Sequence, residues 1–496
     1  MTASAFRSTL GVAVLSLLCA PALAAAPAAT DWAEVARRDL QFAADAIATR
    51  HAGAVDGQPS VTVPLADGLR LARADLPNVR SEQDYLRLMS RFIAGFGDPH
   101  TAINLRLATR GWTGIVLDQV DGQYRVVWSE PGWPNALPPA GAIARTCDDV
   151  YTGTFLEMKL RPYLARSPEY PDSFSSLAQQ AMFDQGLGWT PAHCAFVLPD
   201  RALPDGALRR YDLPLRAVPG QVSQERLAAL RPNYRAAAKP VGVTQFGAGR
   251  YWVGMPDFNG ARSGPAYEAL YPKLSALKQP AWVVFDLRGN GGGDSSWGTR
   301  ALSALYGDAY LDRLGSAMRM QKYLIADAAT VTLFEEFVAS PAHAHSRDTM
   351  RAALAKVRAA IAAGRKMAAT DDDDAPAGAN ALLPARSAPR PHGPRLAALI
   401  DRGCFSSCMS FLLAVRATGD AVVLGEPTIG FSPFGEITRT DLPSGRGALY
   451  IPSALYRADQ ATREPFVPDH AYPGRMTDDA ALTEWVGRTL DGLPAR

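Results

Sequence analysis

The chain has 496 residues, with 51 Lys and Arg against 49 Asp and Glu and a formal net charge of +2. That balance argues against a nucleic-acid binder or a protein drawn to anionic membranes by charge. With 47% hydrophobic and 20% charged residues, the composition is that of a globular protein of two or three domains, with enough apolar material for a core that needs no metal or disulfide support.

The first residues read as an export signal. Arg7 supplies the positive end, residues 10–18 a short apolar run, and Ala22-Leu23-Ala24 a small-x-small cleavage site. The apolar run is too short to span a bilayer, and no later segment is long and apolar enough. Leu17-Leu18 stands where a lipoprotein site at Cys19 would need a small residue. The expectation is a signal peptide over residues 1–24 and a mature protein in the periplasm or secreted, without stable membrane insertion. Once Cys19 leaves, Cys147, Cys194, Cys404 and Cys408 remain. An even number in an oxidising compartment suggests two bridges. Three pairings exist; Cys147 with Cys194 and Cys404 with Cys408 is favoured, since residues four apart at a helix start bring their Cα atoms to about 6 Å. Zinc is disfavoured, because neither pair sits beside a second CxxC or a paired histidine.

Residues 31–50 have helical spacing, with Trp32, Val35, Leu40, Ala43 and Ile47 on one face. Residues 81–96 repeat it after a helix-starting Ser81. Residues 25–106 are therefore an N-terminal helical segment. Over 107–218 the texture turns to strands, around 114–117 and 124–128 with an Asp121-Gly122 turn between them, then around 194–198 and 211–215. This is a small β-rich module. Residues 219–496 alternate buried strands (281–285, 396–400, 421–424) with helices (267–277, 299–305, 407–417), which argues an α/β core. An insertion at about 337–394 interrupts it, first Ala/Arg-rich and helical, then polar, Pro-rich and acidic, and is read as mobile. Within it Asp371 to Asp374 read as a solvated charge run rather than a calcium site. His343 and His345, with no third ligand in sight, read as surface residues. No metal and no cofactor are expected.

Three segments carry chemistry. Asp286-Leu287-Arg288-Gly289-Asn290-Gly291-Gly292-Gly293 follows a buried strand. Consecutive glycines let backbone N–H groups converge on a negative oxygen. No Gly-Lys-Ser/Thr follows, which disfavours a phosphate loop; an oxyanion hole or a bare tight turn remain. Cys404-Phe405-Ser406-Ser407-Cys408 lies between a buried strand and a helix, where Ser406 is either a helix cap or an exposed nucleophile beside free N–H groups. Gly97-Asp98-Pro99-His100-Thr101 offers His100 as a base, in competition with His51, His193, His392 and His470.

In this order, with the β-rich module between, these segments resemble the tail-specific (carboxy-terminal processing) serine peptidase family and its tricorn-core relatives. Gly425-Glu426-Pro427-Thr428-Ile429-Gly430 and Glu464-Pro465-Phe466-Val467-Pro468-Asp469 are similar to two later motifs of that family. The resemblance implies an α/β, ClpP/crotonase-like peptidase core, a PDZ-like module at 107–218 and a polypeptide substrate. It implies Ser406 as nucleophile, with Gly292 or Gly293 and Ser407 as oxyanion donors. The Ser–Lys branch carries a lysine just past Thr-x-Gly; Phe431 and Ser432 stand there, and no lysine follows Lys322 and Lys356 except Lys366, which lies in the insertion, so a Ser–Lys mechanism is disfavoured. The tricorn-like branch uses a histidine and a late carboxylate, which match His100 and Glu464. The glutamate usual after the nucleophile is replaced by Met409. The flanking cysteines look like those of a secreted subgroup, where a short bridge would brace the turn. The alternative reading is an inactive relative that holds a peptide or small apolar ligand in the same cleft. A scaffold displaying the module is a third. Oligomeric state is not readable.

Overall fold

The computed structural model describes residues 30–105, 110–120, 122–164, 172–184, 186–199, 207–218, 238–317, 321–370, 393–430, 432–457 and 465–494. The signal-like N-terminus, Asp371 to Asp374, His392, Phe431 and Glu464 lie outside the described residues.

A six-stranded sheet runs in the order Gly242–Gly247, Arg250–Gly254, Trp282–Asp286, Arg395–Ile400, Val422–Gly425, His470–Ala471. The first two strands form an antiparallel hairpin; the other neighbours pair parallel. Trp282–Asp286 is buried at every position. Both faces are covered. Val283, Phe285, Ala398 and Ile400 meet Leu270, Leu302, Phe411 and Val415 on one side. Val284, Ala397 and Leu399 meet Leu482, Val486 and Leu490 of Asp479–Asp491 on the other. That double burial is why these strands read as unbroken apolar runs. Because Trp282–Asp286 and Arg395–Ile400 are adjacent and parallel, the loops leaving their carboxyl ends emerge side by side, where α/β sheets build their sites.

The first loop is fixed from beneath. Arg288, 1% exposed, and Asp286, fully buried, form a two-pronged pair through Nε to Oδ1 at 2.8 Å and Nη2 to Oδ2 at 2.7 Å. Arg288 Nη1 also donates to the Met476 carbonyl and to Asp479 Oδ1, each at 2.8 Å. Trp252 Nε1 donates to Asp286 Oδ2 at 3.0 Å. The first half of the glycine motif is thus a structural anchor tying the loop to the C-terminal helix.

A second, antiparallel sheet runs Ala102–Leu105, Gly447–Arg457, Gln321–Ile325, Met367–Ala369, with Phe434–Asp441 also on Gly447–Arg457. Its residues Leu449, Ile451 and Leu455 share one core with the helices Trp32–Arg50 and Glu82–Ala94 and with the β-rich module. The expected ClpP/crotonase-like core, one α/β unit with the other regions appended, is corrected by this sheet. Ala102–Leu105 comes from the N-terminal segment and Met367–Ala369 from the expected insertion. Strand hydrogen bonds must be satisfied by neighbours, and here each region supplies neighbours to the others. The insertion likewise differs from expectation: Leu354, Val357 and Ala360 of the helix Arg347–Ala362 pack on Leu324 and Ala454 of this sheet.

In the β-rich module, Ile115–Val120, Gln123–Ser129, Ile143–Cys147, His193–Val197 and Leu208–Asp212 form an antiparallel sheet. Cys147 and Cys194 face each other in register and are bonded. Cys404 and Cys408 are bonded with Cα atoms 5.5 Å apart, so both favoured pairings are present. No helix among the described residues is long and apolar enough to cross a membrane.

Removing one partner of a buried, hydrogen-bonded ion pair strands the other. Arg288→Ala is expected to lower unfolding free energy by about 3–5 kcal/mol, read from urea denaturation.

Candidate active site

Ser406 sits at the turn between Arg395–Ile400 and the helix Ser407–Ala417. Its backbone has φ +54° and ψ −124° and its side chain caps nothing, so the capping alternative does not hold. A non-glycine residue in this region costs of order 1–3 kcal/mol and persists only where the surroundings impose it. Two constraints do so here. The Cys404–Cys408 bond closes the turn on both flanks, and the Phe405 N–H donates to the Asn290 carbonyl at 3.0 Å, locking the turn to the glycine loop. A sharp strand-to-helix turn of this kind lifts a serine hydroxyl clear of the backbone.

The glycine loop lies directly against it. A Cβ on Gly292 would come within 2.8 Å of the Phe405 carbonyl, Ser406 Cβ and Ser407 N, and Gly292 has φ +95°. Only glycine permits this approach. The Gly292 N–H is committed to Asn290 Oδ1 at 2.9 Å. Ser407 Oγ donates to the Gly293 carbonyl at 2.5 Å. The N–H groups of Gly293 and Ser407 donate to no group among the described residues, so of the two expected glycine amides Gly293 is the one available.

His100 comes from the other end of the chain. Its ring packs 4.8 Å, centroid to centroid, from that of Phe405. It lines, with Ser406, Ser432, Phe434, Glu436 and Tyr456, one cavity of about 220 Å³. No hydrogen bond joins Ser406 and His100, and His100 Nδ1 is buried with no partner among the described residues. Burial pushes the imidazole pKa below its ordinary value, and the charge of Asp98, the Phe434 backbone and the charge of Glu436 only partly offset it. The ring is therefore neutral near pH 7 and able to accept a proton.

A buried network holds this loop. Asp98 Oδ1 accepts from the Ser432 hydroxyl at 2.8 Å and from the His100 N–H at 3.3 Å, while Oδ2 accepts from Thr101 Oγ1 at 2.9 Å. His51 Nδ1 accepts from the Gly53 N–H at 3.0 Å, which leaves Nε2 to carry the proton it shares with Thr101 Oγ1 at 2.9 Å. His51, a rival base in sequence terms, thus supports the loop that carries His100. His193 is held by Asp149 at 3.2 Å in the β-rich module, and His470 is exposed at the sheet edge. Glu464 is outside the described residues.

Two cavity residues, Glu436 and Tyr456, and Lys322 beside them had no signal in the sequence. Glu436, at φ +49°, accepts from Lys322 Nζ and, at 3.3 Å, from the Tyr456 hydroxyl. A lysine does stand behind two cavity-lining residues, Glu436 and Tyr456, delivered by the pairing of Lys322 with Tyr456 across two strands. Burial pushes the Lys322 pKa down, but the Glu436 charge and Tyr456 outweigh it and hold it above its ordinary value. An ammonium held in its charged form is a poor base, and the Tyr456 hydroxyl, pushed up to about 12 mainly by burial, stays protonated.

A second serine–histidine contact flanks the glycine loop. Ser296 Oγ lies 2.5 Å from His345 Nε2 and donates to Asp294 Oδ1 at 2.6 Å. With its one hydrogen on the carboxylate, the hydroxyl accepts from His345, the reverse of what a nucleophile gives its base. Among the described residues no cluster suits a metal ion.

The loop after Asp286, the turn at Ser406 and the cavity strands all fall in one matching region. Residues 252–466 match peptidase family S41. Mature CPAF is 13% identical over 93% of this chain and 99% of its own, with a TM-score of 0.62. Mature CPAF complexed with lactacystin is 12% identical over 92% and 99%, with a TM-score of 0.62. A CPAF mutant is 12% identical over 93% and 99%, with a TM-score of 0.64. No curated protein matches the chain in sequence. The fold is that of the S41 tail-specific serine peptidases related to CPAF, and this likeness over nearly the whole chain takes the place of the ClpP/crotonase-like core. With the S41 match across residues 252–466, the chain is a serine-type peptidase.

Gly292→Ala should force the Ser406 turn and the loop apart. Overpacking of this kind costs about 1–3 kcal/mol, and thermal denaturation should show the loss.

Proposed function

We propose that the protein is an exported peptidase that cleaves polypeptides through an acyl-enzyme on Ser406. The carrying observation is the strained Ser406 turn opening onto the cavity that His100 lines, with Gly292 in backbone contact behind it. Ser406 Oγ attacks the peptide carbonyl, and His100 takes its proton and returns it to the leaving amine. The N–H groups of Gly293 and Ser407 receive the oxyanion, an effect worth about 3 kcal/mol per donor. Asp98 holds the His100 loop and favours the imidazolium as it forms; Glu464 is the further carboxylate that the family resemblance offers for the same task. The disulfides fit an oxidising compartment outside the cytoplasm. The β-rich module would hold an extended chain by strand addition. Histidine as base, in place of lysine, agrees with a Lys322 that is paired and charged.

The Ser296–His345 contact runs the wrong way for a nucleophile and its base, since the Ser296 hydroxyl donates to Asp294, and labelling separates Ser296 from Ser406. A fluorophosphonate probe should label the wild-type chain and Ser296→Ala, and leave Ser406→Ala unlabelled while that variant stays folded. Label retained on Ser406→Ala would move the nucleophile elsewhere. The pH profile is a second check. Activity requires neutral His100, whose pKa lies below the ordinary value of about 6.5. The acid limb of kcat/KM should therefore inflect below pH 6.5, with rate rising as pH increases through it; an inflection above 7 would exclude His100 as the base.

A further inference from the structure

We propose that His343 and His345 are positioning residues for the oxyanion loop, acting through Asp294; this rests on the Ser406 reading above. The loop Gly291-Gly292-Gly293 has no side chains with which to hold itself, and two of its residues have φ of +95° and +133°. Its amides must nevertheless be fixed for electrostatic stabilisation to be preorganised. On the leading side Asn290 does this, with Nδ2 on the Met255 carbonyl at 2.9 Å and Oδ1 on the Gly292 N–H.

On the trailing side the residue after Gly293 is Asp294, and its carboxylate is surrounded. Oδ1 accepts from the Ser296 N–H at 2.9 Å and the Ser296 hydroxyl at 2.6 Å. Oδ2 faces His343 Nδ1 at 3.2 Å, His345 Nε2 at 3.3 Å and Ser346 Oγ at 3.4 Å. Burial pushes the Asp294 carboxyl pKa up, but the hydrogen bonds from His343 and Ser296 outweigh it and hold it well below the carboxylate range. Asp294 is a fixed anion, its side chain 10% exposed.

Both histidines lie in the short helix Pro341–Ser346, inside the stretch that in sequence looks like a mobile insertion. That helix is seated firmly. A Cβ on Gly260 would come within 2.7 Å of the Ala342 carbonyl. The His345 ring lies 4.1 Å from that of Trp297, and the His343 ring 4.9 Å from that of Phe337. The first part of the insertion thus packs against the carboxylate that directly follows the glycine loop and holds the Gly293–Asp294 peptide in place. Neither histidine touches Ser406 or the cavity, so their effect on the reaction passes through the loop.

The test uses the full mature chain and p-nitrophenyl acetate as acyl donor, with the acylation burst read alongside thermal stability. His343→Ala with His345→Ala should lower kcat about 10- to 100-fold with KM changed less than about threefold, since a donor shifted by an ångström loses transition-state stabilisation and little ground-state binding. His343→Asn with His345→Gln, which return an N–H near the positions of Nδ1 and Nε2, should recover most of that loss. Should the alanine pair melt below the assay temperature, Asp294→Asn replaces it; it keeps the shape and removes half the acceptor capacity, and the same kcat loss is expected. Undiminished kcat in a folded alanine pair or in Asp294→Asn would overturn the proposal, as would equal loss in the Asn/Gln pair. Fluorophosphonate labelling of Ser406 in the wild-type chain keeps this separate from the reading it rests on: without that label the parent reading fails, and with it only the clamp is at stake.

Discussion

The structure depends on one close approach, the packing of the Gly292 backbone onto the Ser406 turn. Two loops leave adjacent parallel strands and meet with less room than a methyl group would need. Everything around the site serves to hold them there. The Asp286–Arg288 pair anchors one loop from below, the Cys404–Cys408 bond closes the other, and the Asn290 carbonyl ties them to each other. Strain at Ser406 is tolerated because the neighbouring contacts leave no relaxed alternative.

The electrostatics follow from how the cavity divides its charges. The carboxylates around the site are each hydrogen-bonded or paired: Asp98 with Ser432 and Thr101, Glu436 with Lys322 and Tyr456, Asp294 with Ser296 and the two histidines. His100 is the exception, buried with one ring nitrogen unpaired. Burial biases that ring towards its neutral form, the form in which a nitrogen can accept a proton.

Much of this was legible in the sequence. The Asp286–Gly293 run, Ser406 between its cysteines, and His100 beside Asp98 are local patterns whose residue types imply their geometry. Apolar runs without alternation announced the doubly covered sheet. The antiparallel sheet was not legible, because its strands are scattered from Ala102 to Arg457 and some pair across hundreds of residues. For the same reason Glu436, Lys322 and Tyr456 carried no signal: each is unremarkable in its own segment and gains meaning only by cross-strand pairing. His343 and His345 were read as surface residues because their partner, Asp294, lies about fifty positions earlier. The ClpP/crotonase-like description failed where it treated the flanking regions as additions.

The bond from Ser432 to Asp98 spans 334 positions of the chain. A polypeptide made or threaded from its amino end presents the histidine-bearing loop long before the segment that secures it exists. Until residues in the 430s arrive, only Thr101 and His51 hold that loop, and the wall across from it is missing. The pocket is consequently one of the last parts of the molecule whose shape can be completed.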